Sequence, residues 1–478
     1  MDSRAPAAAS ERSGRRPPSA IAALAGAAPL AVLGVSLVAL LIAPHDAEHR
    51  IGEAAILVGF AILSWAFGLF AEPVTTLLFL LLGILFKVAK PGVLFAGFAS
   101  EAWWLVLGGA ITAVAVETSG LGRRLAGLLF GRLGGSYPRS VAAVALAAVG
   151  LAFVMPSTNG RLLLLVPIVL AFCERLGLNP GRPGHTGLMI TVAAASYMPP
   201  TTILPANVPN SILLGAAASL YGVKLGYGPY LLLHFPILGA LKTALLVFVV
   251  CRLFPERQKL APAPEAEPPP MSPAERRLAL IIGLALILYA TDFLHGVSPA
   301  WISLGTGILC LMPPFGVLTP KTFSERTNVV MLIYIAGIIG LGAVVADSGL
   351  GVWVSARLLA AAHVAPGHTI ADLGILTAIS MALGLLTTVT GVPAVLTPLA
   401  REFAAASGLP LLSVLMLQVV AFSTVLLPFS SPPMMIALQL GGVGIKAATK
   451  LTLTLALLTM LLLWPLDYFW WRLLGYLP

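Results

Sequence analysis

The chain has 478 residues, of which 58% are hydrophobic and only 10% charged, and its formal net charge is +9. Soluble domains carry about 25% charged residues, and uncharged apolar stretches of about 20 residues recur here, so the composition excludes a soluble globular protein and predicts an all-α polytopic membrane protein. It also lacks the alternation of a membrane barrel and any basic patch interleaved with aromatics, so no nucleic-acid partner is expected.

The first 20 residues are polar and basic (Arg4, Arg12, Arg15, Arg16). The apolar run 21–43 is longer than the ~7–15 residues of a signal-peptide core, and is expected to be an uncleaved first span. Further spans are predicted at 54–70, 73–88 and 102–117. An amphipathic piece at 121–134, with Arg123, Arg124 and Arg132, suits a helix lying on the membrane surface. Next comes an apolar hairpin, 138–173. It is interrupted at Ser157-Thr158-Asn159-Gly160, and Arg161 follows directly. The span 187–222 is broken by the proline-rich stretch 199–210, and a further span covers 229–251. Residues 254–275 hold many prolines and several charges and form a linker.

The second half repeats this order. Spans are predicted at 278–294, 299–316 and 328–346, an amphipathic piece at 350–362, and a hairpin at 369–406 interrupted at Thr387-Thr388-Val389-Thr390-Gly391. A span at 411–444 is broken at 426–433, and the last span is 448–470. The correspondence extends to short motifs. Ser119-Gly120-Leu121-Gly122 matches Ser348-Gly349-Leu350-Gly351, and Ile203-Leu204-Pro205 matches Leu426-Leu427-Pro428. The organisation expected is a tail with its first span (1–50), a first repeat (51–253), the linker, and a second repeat (276–478).

If each hairpin enters and leaves on one side, lysines and arginines gather on the side that holds the N-terminus. That bias makes the N-terminus cytoplasmic in an inner membrane. The count is about eleven membrane helices plus two re-entrant hairpins and two broken spans. Each half then holds an odd number of spans, so the repeats are inverted. Non-helical backbone at membrane depth survives only where protein or a water-filled cavity covers it. Four such breaks in matching positions, lined with Ser, Thr and Asn, are the pattern of a secondary transporter's central site, where freed carbonyls hold a cation and helix N-termini face an anion.

These residues carry a resemblance. Ser157-Thr158-Asn159-Gly160 running to Val166-Pro167-Ile168, its second copy Thr388-Val389-Thr390-Gly391 running to Thr397-Pro398-Leu399, and the loops Pro205–Asn210 and Pro428–Pro433 resemble the divalent anion:sodium symporter family of the ion transporter superfamily. The likeness covers nearly the whole chain after about residue 50. It implies a homodimeric, elevator-type transporter of dicarboxylates, citrate or sulfate, coupled to sodium, with each hairpin tip and its broken span clasping one cation. Carried over by position, the cation set is Ser157, Asn159, Thr202, Asn207, Thr388, Thr390 and Ser430. The substrate set is Thr158, Asn159, Arg161, Asn207, Thr390 and Pro432. Two departures stand out: Thr and Asn are exchanged in the first motif, and Val389 replaces the second motif's Asn.

Arg161 stands where the family has a small or hydroxylated residue. A charge near the membrane midplane is costly and marks function by default. Three roles are open: a forked anchor for the anion, a fixed cation replacing one sodium, or a staple on backbone carbonyls. With no acidic residue in either tip, the anchor is the expectation. Lys242, in an apolar span, is expected to snorkel to the cytoplasmic interface. Glu117 and Asp347, near the ends of corresponding spans, read as interface or helix-start residues. Trp103, Trp104, Tyr468, Trp470 and Trp471 fit interfacial belts. The histidines show no relay. No cofactor is expected, and no metal beyond sodium.

The function expected is therefore cation-coupled transport of a small divalent anion, a dicarboxylate first and sulfate or a tricarboxylate next. A proton-coupled or uncoupled exchanger of the same fold is the alternative. No metalloprotease helix, nucleophile elbow or aspartate pair suggests an enzyme, and no phosphate-binding glycine-lysine loop suggests a pump.

Overall fold

A computed structural model describes residues 20–43, 50–133, 136–257, 270–362 and 364–478. The basic tail before residue 20 and most of the linker lie outside the described residues, as does the side chain of Arg132. All regular elements among the described residues are helical. Among the described residues six helices are each long and apolar enough to cross a membrane, Glu101–Ser119, Tyr137–Val154 and Val329–Asp347 being three of them. The remaining apolar helices are shorter or divided by breaks.

Helix ends follow local chemistry. Ser100 caps Glu101–Ser119 through the Trp103 N–H, and Gly120, at φ 87°, closes that helix in the left-handed region. Ser272 and Glu275 form a reciprocal capping box on Pro273–Ala290. On the same helix Leu280, Leu284 and Ile287 form an exposed i, i+4, i+7 stripe. Such a stripe suits lipid rather than water.

Close helix contacts depend on missing side chains. A Cβ on Gly108 would lie 2.3 Å from the Ser303 carbonyl, and one on Gly97 would lie 2.0 Å from the Ala336 oxygen. Helix Glu101–Ser119 can therefore pack against Pro299–Leu311 backbone to backbone, and Ser303 Oγ donates to the Leu105 oxygen at 2.8 Å. Charge pairs also tie distant segments: Arg326 pairs with Glu117 across the two halves, Arg50 with Asp347, and Arg124 grips Glu275 at the end of the linker through two nitrogens.

The breaks fall where the polar clusters lie. The first hairpin is Tyr137–Val154 returning as Thr158–Arg175. The first broken span is Pro183–Ala195, two 3-10 turns at Pro199–Thr202 and Leu204–Ala206, then Val208–Tyr221. The second hairpin is Thr369–Leu386 returning through Gly391–Leu396, Thr397–Leu399 and Ala400–Ser407. The second broken span is Leu411–Ser423, a turn at Pro428–Ser430, then Pro432–Leu440. The last span of each half carries a π-helical insert beside a proline, at Phe235–Leu241 and Thr459–Leu463. Proline offers no N–H and loosens the ladder there.

The halves interlock at these breaks. The return arm Thr158–Arg175 packs against Pro432–Leu440, and Val208–Tyr221 packs against Gly391–Leu396. Each hairpin's return arm thus rests on the broken span of the other half.

Candidate functional site: two hairpin tips against two broken spans

At the first tip, Ser157 caps the return arm by accepting the Gly160 N–H. Thr158 is buried and donates its hydroxyl to Asn207 Oδ1 in the broken span. Asn207 holds its other end with Nδ2 on the Tyr197 oxygen at 3.0 Å. Tip and broken span are therefore one hydrogen-bonded unit.

Arg161 sits inside that unit with no exposed surface. Nη1 donates to the carbonyls of Met155 (2.7 Å) and Ala206 (3.1 Å). Nη2 donates to the Ser196 carbonyl (2.8 Å), Asn207 Oδ1 (3.0 Å) and Thr158 Oγ1 (3.1 Å). Among the described residues its Nε–H has no partner, and that atom too is enclosed. No carboxylate among the described residues pairs with it. The partners of the fork are thus protein oxygens, a different set from the external anion expected of an anchor. In this conformation the guanidinium faces into the protein.

The other predicted residues divide into two groups. Thr202 is buried and donates to the Pro199 oxygen at 2.6 Å. Asn159 at the first tip and Pro432, where the second broken span resumes its helix, are exposed. At the second tip Thr388 and Thr390 share a hydroxyl–hydroxyl bond of 2.7 Å, and Thr390 also meets Tyr334 OH at 3.1 Å. The Val389 N–H donates to the Ser430 carbonyl at 3.0 Å, joining this tip to its own broken span. Val389 serves through its backbone, so the missing Asn side chain does not undo the junction. A cavity of about 20 Å³ lies beside Trp65, Tyr334, Thr387 and Thr388. Such a volume suits one water or one small ion. A larger cavity of about 380 Å³, lined by Leu373, Leu417, Trp464 and Asp467, includes none of the predicted site residues.

The structure corrects two expectations. Lys242 does not snorkel: it is 1% exposed, and Nζ donates to the Ser423 carbonyl at 2.7 Å, where the second broken span interrupts its helix. Trp471, assigned to an interfacial belt, is buried with its ring 5.7 Å from that of His234. His234 is itself fully buried. Tyr197 and Tyr334, which sequence reasoning missed, are lone tyrosines in apolar surroundings. Tyr197 OH reaches the Phe422 oxygen (3.4 Å), linking the two broken spans. The charge of Lys242 inside an uncharged run was the available signal for that residue, whereas nothing local distinguishes the tyrosines.

The chain matches the sodium:sulfate symporter transmembrane region over residues 26–477. It belongs to this family. The sodium:sulfate symporter family is the divalent anion:sodium symporter group that the hairpin motifs resemble, and its members are transporters. Among relatives, a sodium-dependent dicarboxylate transporter, SdcS of Staphylococcus saprophyticus, is 22% identical over 83% of this chain and 81% of its own. A membrane protein of Cupriavidus necator is 27% identical over 55% of this chain, and the match spans about half that relative (53%). The inner membrane protein YbhI of Escherichia coli is 24% identical over 56% of this chain and 57% of its own. The crystal structure of the Alcanivorax borkumensis YdaH transporter, described as having an unusual topology, shares the fold at a TM-score of 0.54 and 18% identity, covering 80% of this chain and 87% of that one.

Proposed function

We propose that the protein carries small dianions, dicarboxylates in the first place, across an inner membrane by alternating access. Two hairpins and two broken spans of an inverted repeat form the moving unit. In this proposal a homodimer supplies the scaffold, the unit travels as an elevator, and the N-terminus is cytoplasmic. The observation that carries the reading is the hydrogen-bonded union of each tip with its broken span, Thr158 to Asn207 and Val389 to Ser430. Such unions let tip and span move together while non-helical backbone stays covered. Four helices begin at the breaks, at Thr158, Val208, Gly391 and Pro432, and their N-terminal dipole ends favour an anion. Exposed Asn159 and Pro432 are the proposed points of first contact, with half-buried Thr390 as a third substrate contact. Thr388 beside the small cavity, with the Thr390 hydroxyl bonded to its own, is the proposed seat of a coupling sodium. The naming of SdcS as a sodium-dependent dicarboxylate transporter supports the substrate and the ion together.

The test is labelled succinate uptake into proteoliposomes, with an inward sodium gradient against the same gradient of choline, and with sulfate and citrate as competitors. Sodium-dependent, succinate-competed uptake is expected. Uptake of none of these anions, with or without counter-substrate inside, would end the dianion reading. Exchange that ignores sodium is the second reading, and the internal cation of the first site favours it.

A further inference from the structure

The first broken span builds a cation cage and fills it with a side chain. In a continuing helix the Ala195 and Ser196 carbonyls would accept from the N–H groups four residues on. Those residues are Pro199 and Pro200, which have none. The Ser196 oxygen, freed at the negative end of helix Pro183–Ala195, turns to Arg161. Extended backbone at Asn207 (φ −136°, ψ 152°) breaks the chain again beside the Ala206 oxygen, the next ligand. Met155, just before the tip, supplies the third carbonyl; Thr158 and Asn207 supply the side-chain oxygens.

Five neutral oxygens thus converge at 2.7–3.1 Å on one buried positive charge. Neutral oxygens of this kind, main-chain carbonyls above all, are what hard cations take. Converging dipoles without a positive centre would repel one another. A guanidinium supplies that centre and keeps its proton. In the second half helix Leu411–Ser423 also ends with its last carbonyl on a buried cation, Lys242 Nζ, with the Ser423 and Thr424 hydroxyls 3.4 and 3.5 Å from that nitrogen, but there the buried carboxylate of Asp467 faces the charge as well.

We infer that Arg161 is a built-in counter-ion standing in the place of a carried sodium at the first hairpin, so that this half of the site moves no mobile cation. The consequence for ion stoichiometry rests on the transport reading above; the filling of the cage does not.

The test is amide hydrogen exchange on the purified protein in sodium chloride and in choline chloride of equal ionic strength. In the unmodified protein, peptides covering 155–161 and 196–210 should exchange at the same rate in both salts. Arg161→Ser empties the cage and adds a hydroxyl ligand, so sodium should then slow the same peptides, about tenfold once it exceeds its dissociation constant about tenfold. Sodium protection of these peptides in the unmodified protein overturns the inference. So does a folded Arg161→Ser protein that ignores sodium. If Arg161→Ser folds in neither salt, Arg161→Lys decides: exchange should stay indifferent to sodium, and protection by sodium overturns the inference. Because the readout needs no transport, a failure of succinate uptake and a failure of this inference are separate results.

Discussion

Replacing Arg161 by methionine keeps much of the volume and removes every donor from the cage. Met155 O retains the Ser157 N–H at 2.7 Å, but the Ser196 and Ala206 oxygens lose the guanidinium that bonds them at 2.8 and 3.1 Å. An unpaired buried acceptor costs about 1–3 kcal/mol, so two cost roughly 4 kcal/mol. The saving from no longer burying a charge offsets part of this. The hydroxyl of Thr158 still reaches Asn207, so the tip should stay docked. Tryptophan fluorescence during heating in detergent should show a midpoint lowered by about 2–4 °C. Arg161→Lys should fall between, since one ammonium cannot span oxygens set around a planar fork. A methionine variant within error of the unmodified protein would refute the reasoning, because the carbonyls would then have other donors to turn to.

Lys242→Met leaves one carbonyl, Ser423 O, without its 2.7 Å donor. The same melting experiment should show a smaller loss than Arg161→Met, about 1–3 kcal/mol. Gly108→Val drives a side chain into the Ser303 backbone, where even a Cβ would lie at 2.3 Å. Helix separation should cost about 3 kcal/mol or more and show as loss of the monodisperse peak in size exclusion. Thr390→Val removes the hydroxyl shared by Thr388 and Tyr334. At about 1 kcal/mol per lost bond, the sodium concentration for half-maximal uptake should rise about fivefold or more, with a melting loss no larger than that of Lys242→Met.

Much of the architecture was legible because its signals are local. Uncharged runs, the polar clusters at 157–160 and 387–391, and the prolines at 199–209 and 428–433 each report on the few residues around them. The breaks lie at those places. Clustered prolines remove several N–H groups at once and short polar side chains compete for the backbone, and both favour a helix end there. The partners of the buried charges were not legible in the same way. Lys242 reads as a snorkelling lysine until the second broken span, 181 residues on, is set against it. Where a lysine head goes depends on which acceptor its neighbours present, and its own helix does not record that.

Residue order alone specifies a helical membrane protein with four interruptions in matching positions and an arginine directly beyond one of them. Hydrophobic length, proline chemistry and the cost of charge in hydrocarbon require that much. Only the tertiary structure decided what the arginine faces. Its fork is shared among Met155, Thr158, Ser196, Ala206 and Asn207, residues up to 46 positions away that become neighbours once tip and broken span dock. A buried cation takes whatever oxygens the packing leaves unpaired, and packing of distant segments is a property of the folded chain as a whole.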